Sequence, residues 1–266
     1  MKEKKKKHIV EALIVLIVYA GIFLGLKFLI PSIFPNLKDV IKEIIILLIL
    51  ILILLLYLSY TRQLNILKSK SNFIKGLKIG LPIIIFFGMF LISNISLNVE
   101  KGNELTATSD IILNIIFWLL VGISEEILFR GIILNKLFKA IGNDTRKNVL
   151  KAVIISAILF GLVHLTNVIY MDATIVVAIT QFFVASGTGL IYGAIYSRTK
   201  NIYSTIIIHS FQDFCAWTMT NLFINNSSTD SPQNSEIFFG IFVLVLSISL
   251  FSFMMRKKKS NEYVLN

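Results

Sequence analysis

DIILNIIFWLLVGISEEILFRGIIL, residues 110–134, is long and apolar enough to cross a bilayer, yet it carries Glu125, Glu126 and Arg130 in its second half. A spanning helix needs about 20 mostly apolar residues. An ionisable group in hydrocarbon costs about 2.5–3.5 kcal/mol on insertion scales, so such a group faces a cavity, a partner or both. Further apolar runs flank this one: 9–30, 40–60 and 77–97 before it, and 149–170, 173–196, 202–224 and 236–255 after it. The pattern predicts an all-α polytopic membrane bundle of eight transmembrane helices. The run at 173–196 follows a very short turn at Met171–Asp172.

Composition agrees with a chain dissolved in lipid. Hydrophobic residues make up 56% and charged residues 15%, against about 25% charged in ordinary soluble domains. The net charge of +11 does not mark a nucleic-acid binder, because Lys and Arg fall in short clusters between apolar runs. Lys2 and Lys4–Lys7 precede the first run. Arg62, Lys68, Lys70, Lys75 and Lys78 lie between the second and third, and Lys136, Lys139, Arg146, Lys147 and Lys151 between the fourth and fifth. Arg198 and Lys200 join the sixth and seventh, and Arg256–Lys259 follow the last. The alternate connections hold only Lys38, Lys42 and Lys101, with most of the acids. Positive charge marks the cytoplasmic side, so both termini are predicted in the cytoplasm of a multi-pass cell-membrane protein. The basic start MKEKKKKH leads into an apolar run longer than the about 7–15 residues of a signal-peptide core, which predicts an uncleaved first helix. The polar stretch Asn225–Ser235 reads as an external loop, and its sequons at Asn225 and Asn226 as chance matches. The single cysteine, Cys215, excludes a disulfide framework and a cysteine zinc site.

Glu125, Glu126 and Arg130 have company. His164 lies in the fifth run, and His209 and Asp213 in the seventh. At 1.5 Å per residue these groups sit about 12–20 Å from the basic face, a shared level that predicts a cavity open to the cytoplasm. Glu126 and Arg130 are i, i+4 and can pair, as can His209 and Asp213, while Glu125 is turned about 100° from Glu126. Phe160 stands one turn before His164. Glu11 and Lys27, near the ends of the first run, are predicted to snorkel to the interface. A carboxylate and an imidazole on one water make a general base. Glu125, His164 and His209 would alternatively suit Zn²⁺ with an open position. An ion or proton pathway would also explain buried charge, but no internal repeat accompanies it.

SEEILFRG at 124–131 resembles the EExxxR motif of the CAAX protease and bacteriocin-processing family of intramembrane endopeptidases. Phe160-Gly-Leu-Val-His164 resembles its FxxxH motif, and His209-Ser-Phe-Gln-Asp213 its HxxxN/D motif. The resemblance covers 110–220 as a catalytic core, leaving 1–109 as three N-terminal helices and 221–266 as the last helix and basic tail. It implies an eight-helix bundle with a cytoplasm-facing cavity, hydrolysing a peptide bond of a membrane-associated substrate. Glu125 and His164 would activate water, and His209 with residue 213 would stabilise the oxyanion. Glu126 and Arg130 would hold the site in shape. The metal-free glutamate scheme is favoured, with no cofactor; zinc is the other option. Position 213 is often Asn in the family and is Asp here, and an ionised carboxylate cannot donate to an oxyanion. A non-proteolytic immunity or scaffold protein would keep the same fold. The implied partners are membrane lipid and substrate, with no nucleic acid; the sequence carries no signal of oligomeric state.

Overall fold

A computed structural model describes residues 2–68, 71–170, 173–224 and 233–264. Its long helices run α1 (Lys2–Ile33), α2 (Asp39–Tyr60) and α3 (Phe73–Glu100). Then α4 (Thr108–Glu126) passes through a π-helical stretch, Ile127–Leu134, into α5 (Asn135–Ile141). There follow α6 (Arg146–His164), the single turn α7 (Asn167–Tyr170), α8 (Ile175–Thr199), α9 (Ile202–Asn221) and α10 (Gln233–Met254). Apart from one antiparallel bridge between Leu105 and Phe223, the described residues are helix, turn or loop. The Met171–Asp172 turn and the Asn225 and Asn226 sequons lie outside the described residues.

Seven of the described helical segments are long and apolar enough to cross a membrane. Exposed Ile17, Phe28, Leu56, Ile92, Ile175 and Phe238 form the apolar exterior expected of a chain in lipid. The chain is an integral membrane protein. The predicted seventh span exists as α9, but His209, Gln212, Asp213 and Asn221 dilute its apolar content below that standard. Boundaries differ elsewhere too. The fourth span continues past 134 to Ile141, and the fifth helix stops at His164.

Helices alternate in direction, and their ends are tied in two layers. At the basic end Asn201 Nδ2 donates to Ser71 O at 3.0 Å, Arg146 Nε to Met255 O at 3.0 Å, and Arg198 pairs with Glu262 at 2.5 Å. At the other end Lys38 pairs with Asp110 at 2.6 Å and Ile224 N donates to Glu104 O at 2.7 Å. Glu11 and Lys27 do not snorkel. Glu11 meets Lys136 at 2.7 Å and Lys27 meets Glu43 at 2.6 Å, each reaching a different helix. In apolar surroundings a partner removes more of the cost than a stretched side chain does.

Caps set where the helices carrying polar groups begin. Thr145 Oγ1 accepts from Asn148 N at 3.2 Å before α6, and Asn201 Oδ1 from Ser204 N at 3.0 Å before α9. These are N-caps, which satisfy donors left over in the first turn. Lys200, at φ 52°, turns the chain between α8 and α9. Small residues then bring helices close. A Cβ at Gly122 of α4 would lie 3.1 Å from Ile206 O of α9. One at Gly193 of α8 would lie 2.6 Å from Val153 of α6.

Candidate active site

The close approach of α4 to α9 puts both glutamates against one histidine. Glu126 is fully buried, and its Oε1 accepts from Arg130 Nη1 at 2.9 Å. The same oxygen lies 2.9 Å from His209 Nδ1. Glu125, turned to the other side of α4, lines a cavity and lies 3.5 Å from His209 Nε2. Asp213, one turn further along α9, reaches the same Nε2 at 3.2 Å. Two lone pairs cannot face each other at that distance, so one proton lies between His209 Nε2 and Asp213 Oδ2.

Helix α6 supplies the remaining pair. His164 Nδ1 lies 3.0 Å from Phe160 O. A carbonyl only accepts, so Nδ1 carries the hydrogen and Nε2 keeps its lone pair. The Phe160 ring meets His164 edge-on at 4.9 Å and His209 at 5.6 Å. It also lies under the Arg130 guanidinium at 4.9 Å. Phe160 therefore touches three of the polar groups at once. Arg130 Nη2 donates to Gly189 O at 3.1 Å, across the glycine that lets α8 approach Phe160.

Tyr192 belongs to this cluster, and sequence reasoning passed over it. Its ring stacks on His209 at 4.9 Å and lies 5.1 Å from the Arg130 guanidinium. Its hydroxyl donates to Gln212 Oε1 at 2.5 Å. The stack depends on the approach of α8 to α9, which no spacing within α8 reveals. Tyr192 stacked on the ring and Phe160 set edge-on to it restrict how the imidazole can rotate. Tyr192 positions His209.

Glu125, His164, His209 and Asp213 form the floor of a cavity of about 520 Å³, within the range of sites that enclose a ligand of several side chains. Aromatic walls rise from this floor: Phe87, Phe90, Phe117, Trp118 and Phe239, with Tyr19 and Phe23 from α1. Lys27 and Glu43 stand near the far end. Thus α1 and α2, outside the stretch with a named resemblance, supply part of the wall. Tyr19 is also fixed to α4 by a 2.7 Å hydrogen bond to Ser124. Cys215 is buried in the wall, a small apolar filler.

The side on which the cavity lies is a correction. Its lining begins at Tyr19 on α1, at Phe160 on α6 and at His209 on α9, and ends at Glu125 on α4 and Thr188 on α8. All of it is level with the polar floor or on the side away from the basic ends. On the basic side of the floor every residue from Ile127 to Leu134 is buried. The cavity that holds these polar groups therefore extends away from the basic end, not toward it. Depth along a helix was legible from spacing. Which half of the bundle stays hollow depends on how side chains from different helices fill it.

Among the described residues no three His, Cys, Asp or Glu side chains converge as ligands for one ion. Glu126 and Asp213 already flank the two nitrogens of His209.

Residues 107–215 match the sequence profile of the family described as Type II CAAX prenyl endopeptidase Rce1-like. Over these residues the chain is similar to that family. The match begins at the start of α4 and ends within α9, so it spans the helices that carry the polar floor. That family is one of proteases, and the similarity supports protease activity. No curated protein matches the chain.

Proposed function

We propose that the chain is an intramembrane endopeptidase of the glutamate type, hydrolysing a peptide bond in a membrane-associated peptide or protein. The observation that carries this is the floor: Glu125 and Asp213 each within 3.5 Å of His209 Nε2, with His164 on the same cavity. In this reading eight helices cross the cell membrane and α9 is the seventh of them. The basic ends, with both termini, face the cytoplasm.

A water between Glu125 and His164 Nε2 attacks the scissile carbonyl carbon. Glu125 takes one proton from it, and the carbonyl electron pair moves onto oxygen. The proton shared by His209 and Asp213 is the donor that meets this oxyanion, in the role such donors play for tetrahedral intermediates. The C–N bond then breaks, Glu125 passes its proton to the leaving nitrogen, and the new carboxylic acid loses its proton to water. Glu126 and Arg130 keep His209 in place. No step runs through a metal. The test is cleavage in liposomes by wild type, His164→Ala and His209→Ala, each with and without a chelator. Equal activity in all three proteins sinks the protease reading. Loss of wild-type activity with chelator alone sinks the metal-free scheme.

Asp213 has its own test. In Asp213→Asn the amide oxygen can accept from His209 Nε2 while the NH₂ donates to the oxyanion. The expected kcat/KM stays within about threefold of wild type, less than 1 kcal/mol of barrier. A loss of tenfold or more would make the charge at 213 essential.

Trp118 Nε1 is a buried donor without a protein partner among the described residues, and its side chain lines the cavity. Trp118 stands seven residues before Glu125, about 10 Å along the helix, or about three residues of an extended peptide. Trp118→Phe keeps most of the wall and removes the donor. The expected result is a KM raised about fivefold with kcat little changed, the worth of one hydrogen bond near 1 kcal/mol. An unchanged KM would remove Trp118 from substrate binding.

A further inference from the structure

We infer that the catalytic cavity opens on the non-cytoplasmic side of the membrane, so that the substrate is a chain segment already exported or held in the outer leaflet. Two observations combine. The clusters of Lys and Arg all lie at one end of the bundle, the end that the positive-inside rule places in the cytoplasm. The cavity lies wholly toward the other end, where the connections carry Asp39, Glu43, Glu100, Glu104 and Asp110 against Lys38, Lys42 and Lys101. Between the floor and the basic end stand the buried Glu126–Arg130 pair and the sealed stretch Ile127–Leu134.

The cavity reaches the surface through Phe90, Met219 and Phe239, which line it and are 37%, 40% and 44% exposed. Aromatic walls of this kind take an apolar peptide stretch. A prenylated tail made in the cytoplasm would approach the sealed face. The substrate class rests on the protease reading, whereas the sidedness rests only on charge placement and cavity shape.

The experiment is cysteine accessibility in intact cells, on full-length protein with Cys215→Ala as background. Met219→Cys marks the cavity rim, Lys101→Cys the acidic end and Lys68→Cys the basic end. A membrane-impermeant maleimide is expected to label the first two in intact cells and Lys68→Cys only after permeabilisation. Labelling of Lys68→Cys alone in intact cells overturns the orientation. Labelling of Lys101→Cys with Met219→Cys protected overturns entry from that side. If Met219→Cys fails to accumulate, Phe90→Cys takes its place. Labelling needs no turnover, so a chain that labels as expected yet cleaves nothing would sink the protease reading and leave the sidedness standing.

Discussion

Glu125→Gln should lower peptide hydrolysis about a thousandfold while the protein accumulates and unfolds like wild type. The substitution keeps the shape of the side chain and removes its ability to take a proton. General-base contributions run from about a hundredfold to about ten-thousandfold. Glu125 has no part in the buried ion pair that braces the floor; that belongs to Glu126. Losing the Glu125 charge therefore leaves the Arg130 contacts intact. The measurement is single-turnover cleavage in liposomes beside a thermal unfolding curve. Activity within tenfold of wild type would move the base elsewhere, with His164 next in line. A collapse in stability would show Glu125 to be structural.

Arg130→Ala should have the largest effect on stability, about 3–5 kcal/mol, the range for breaking a buried pair from one side. Arg130 and Glu126 are 1% and 0% exposed. Truncating the arginine strands a carboxylate in the bundle, and it empties the space over Phe160 and Tyr192 and beside Gly189 O. Replacing both members by neutral groups of similar volume is far milder. The double variant Glu126→Gln, Arg130→Met should therefore recover most of the lost stability. It should not recover activity, because the contacts that orient His209 remain altered. Unfolding midpoints of the two variants decide this. Equal destabilisation would mean that volume, not charge, sets the cost.

Much of this architecture was legible in one dimension. The eight long helices follow from run length, and the motif spacings place Glu126 with Arg130 and His209 with Asp213 by helix geometry alone. What escaped depends on neighbours in space. No periodicity announces that Tyr192 stacks on His209, or that Tyr19 and Lys27 of α1 reach the cavity. The π-helical stretch was equally hidden. It is held by an Asn135 side chain that donates to Arg130 O at 3.2 Å and Gly131 O at 2.9 Å, carbonyls that a local change of helical register leaves to be satisfied. The polar groups of α9 lower its apolar content below that of the other long helices among the described residues.

The solid packing of Ile127–Leu134 under the floor has an electrical consequence. Membrane voltage drops mostly across the part of a protein where water and ions are absent. Here that part is the plug, not the hollow half that contains Glu125 and His164. On the proposed scheme Glu125 thus shares the pH of the compartment its cavity meets, and it feels little of the transmembrane potential, which is worth about 2.3 kcal/mol per charge per 100 mV when fully crossed. The same plug separates the cavity from the basic side, so the cavity by itself opens no path for protons across the membrane.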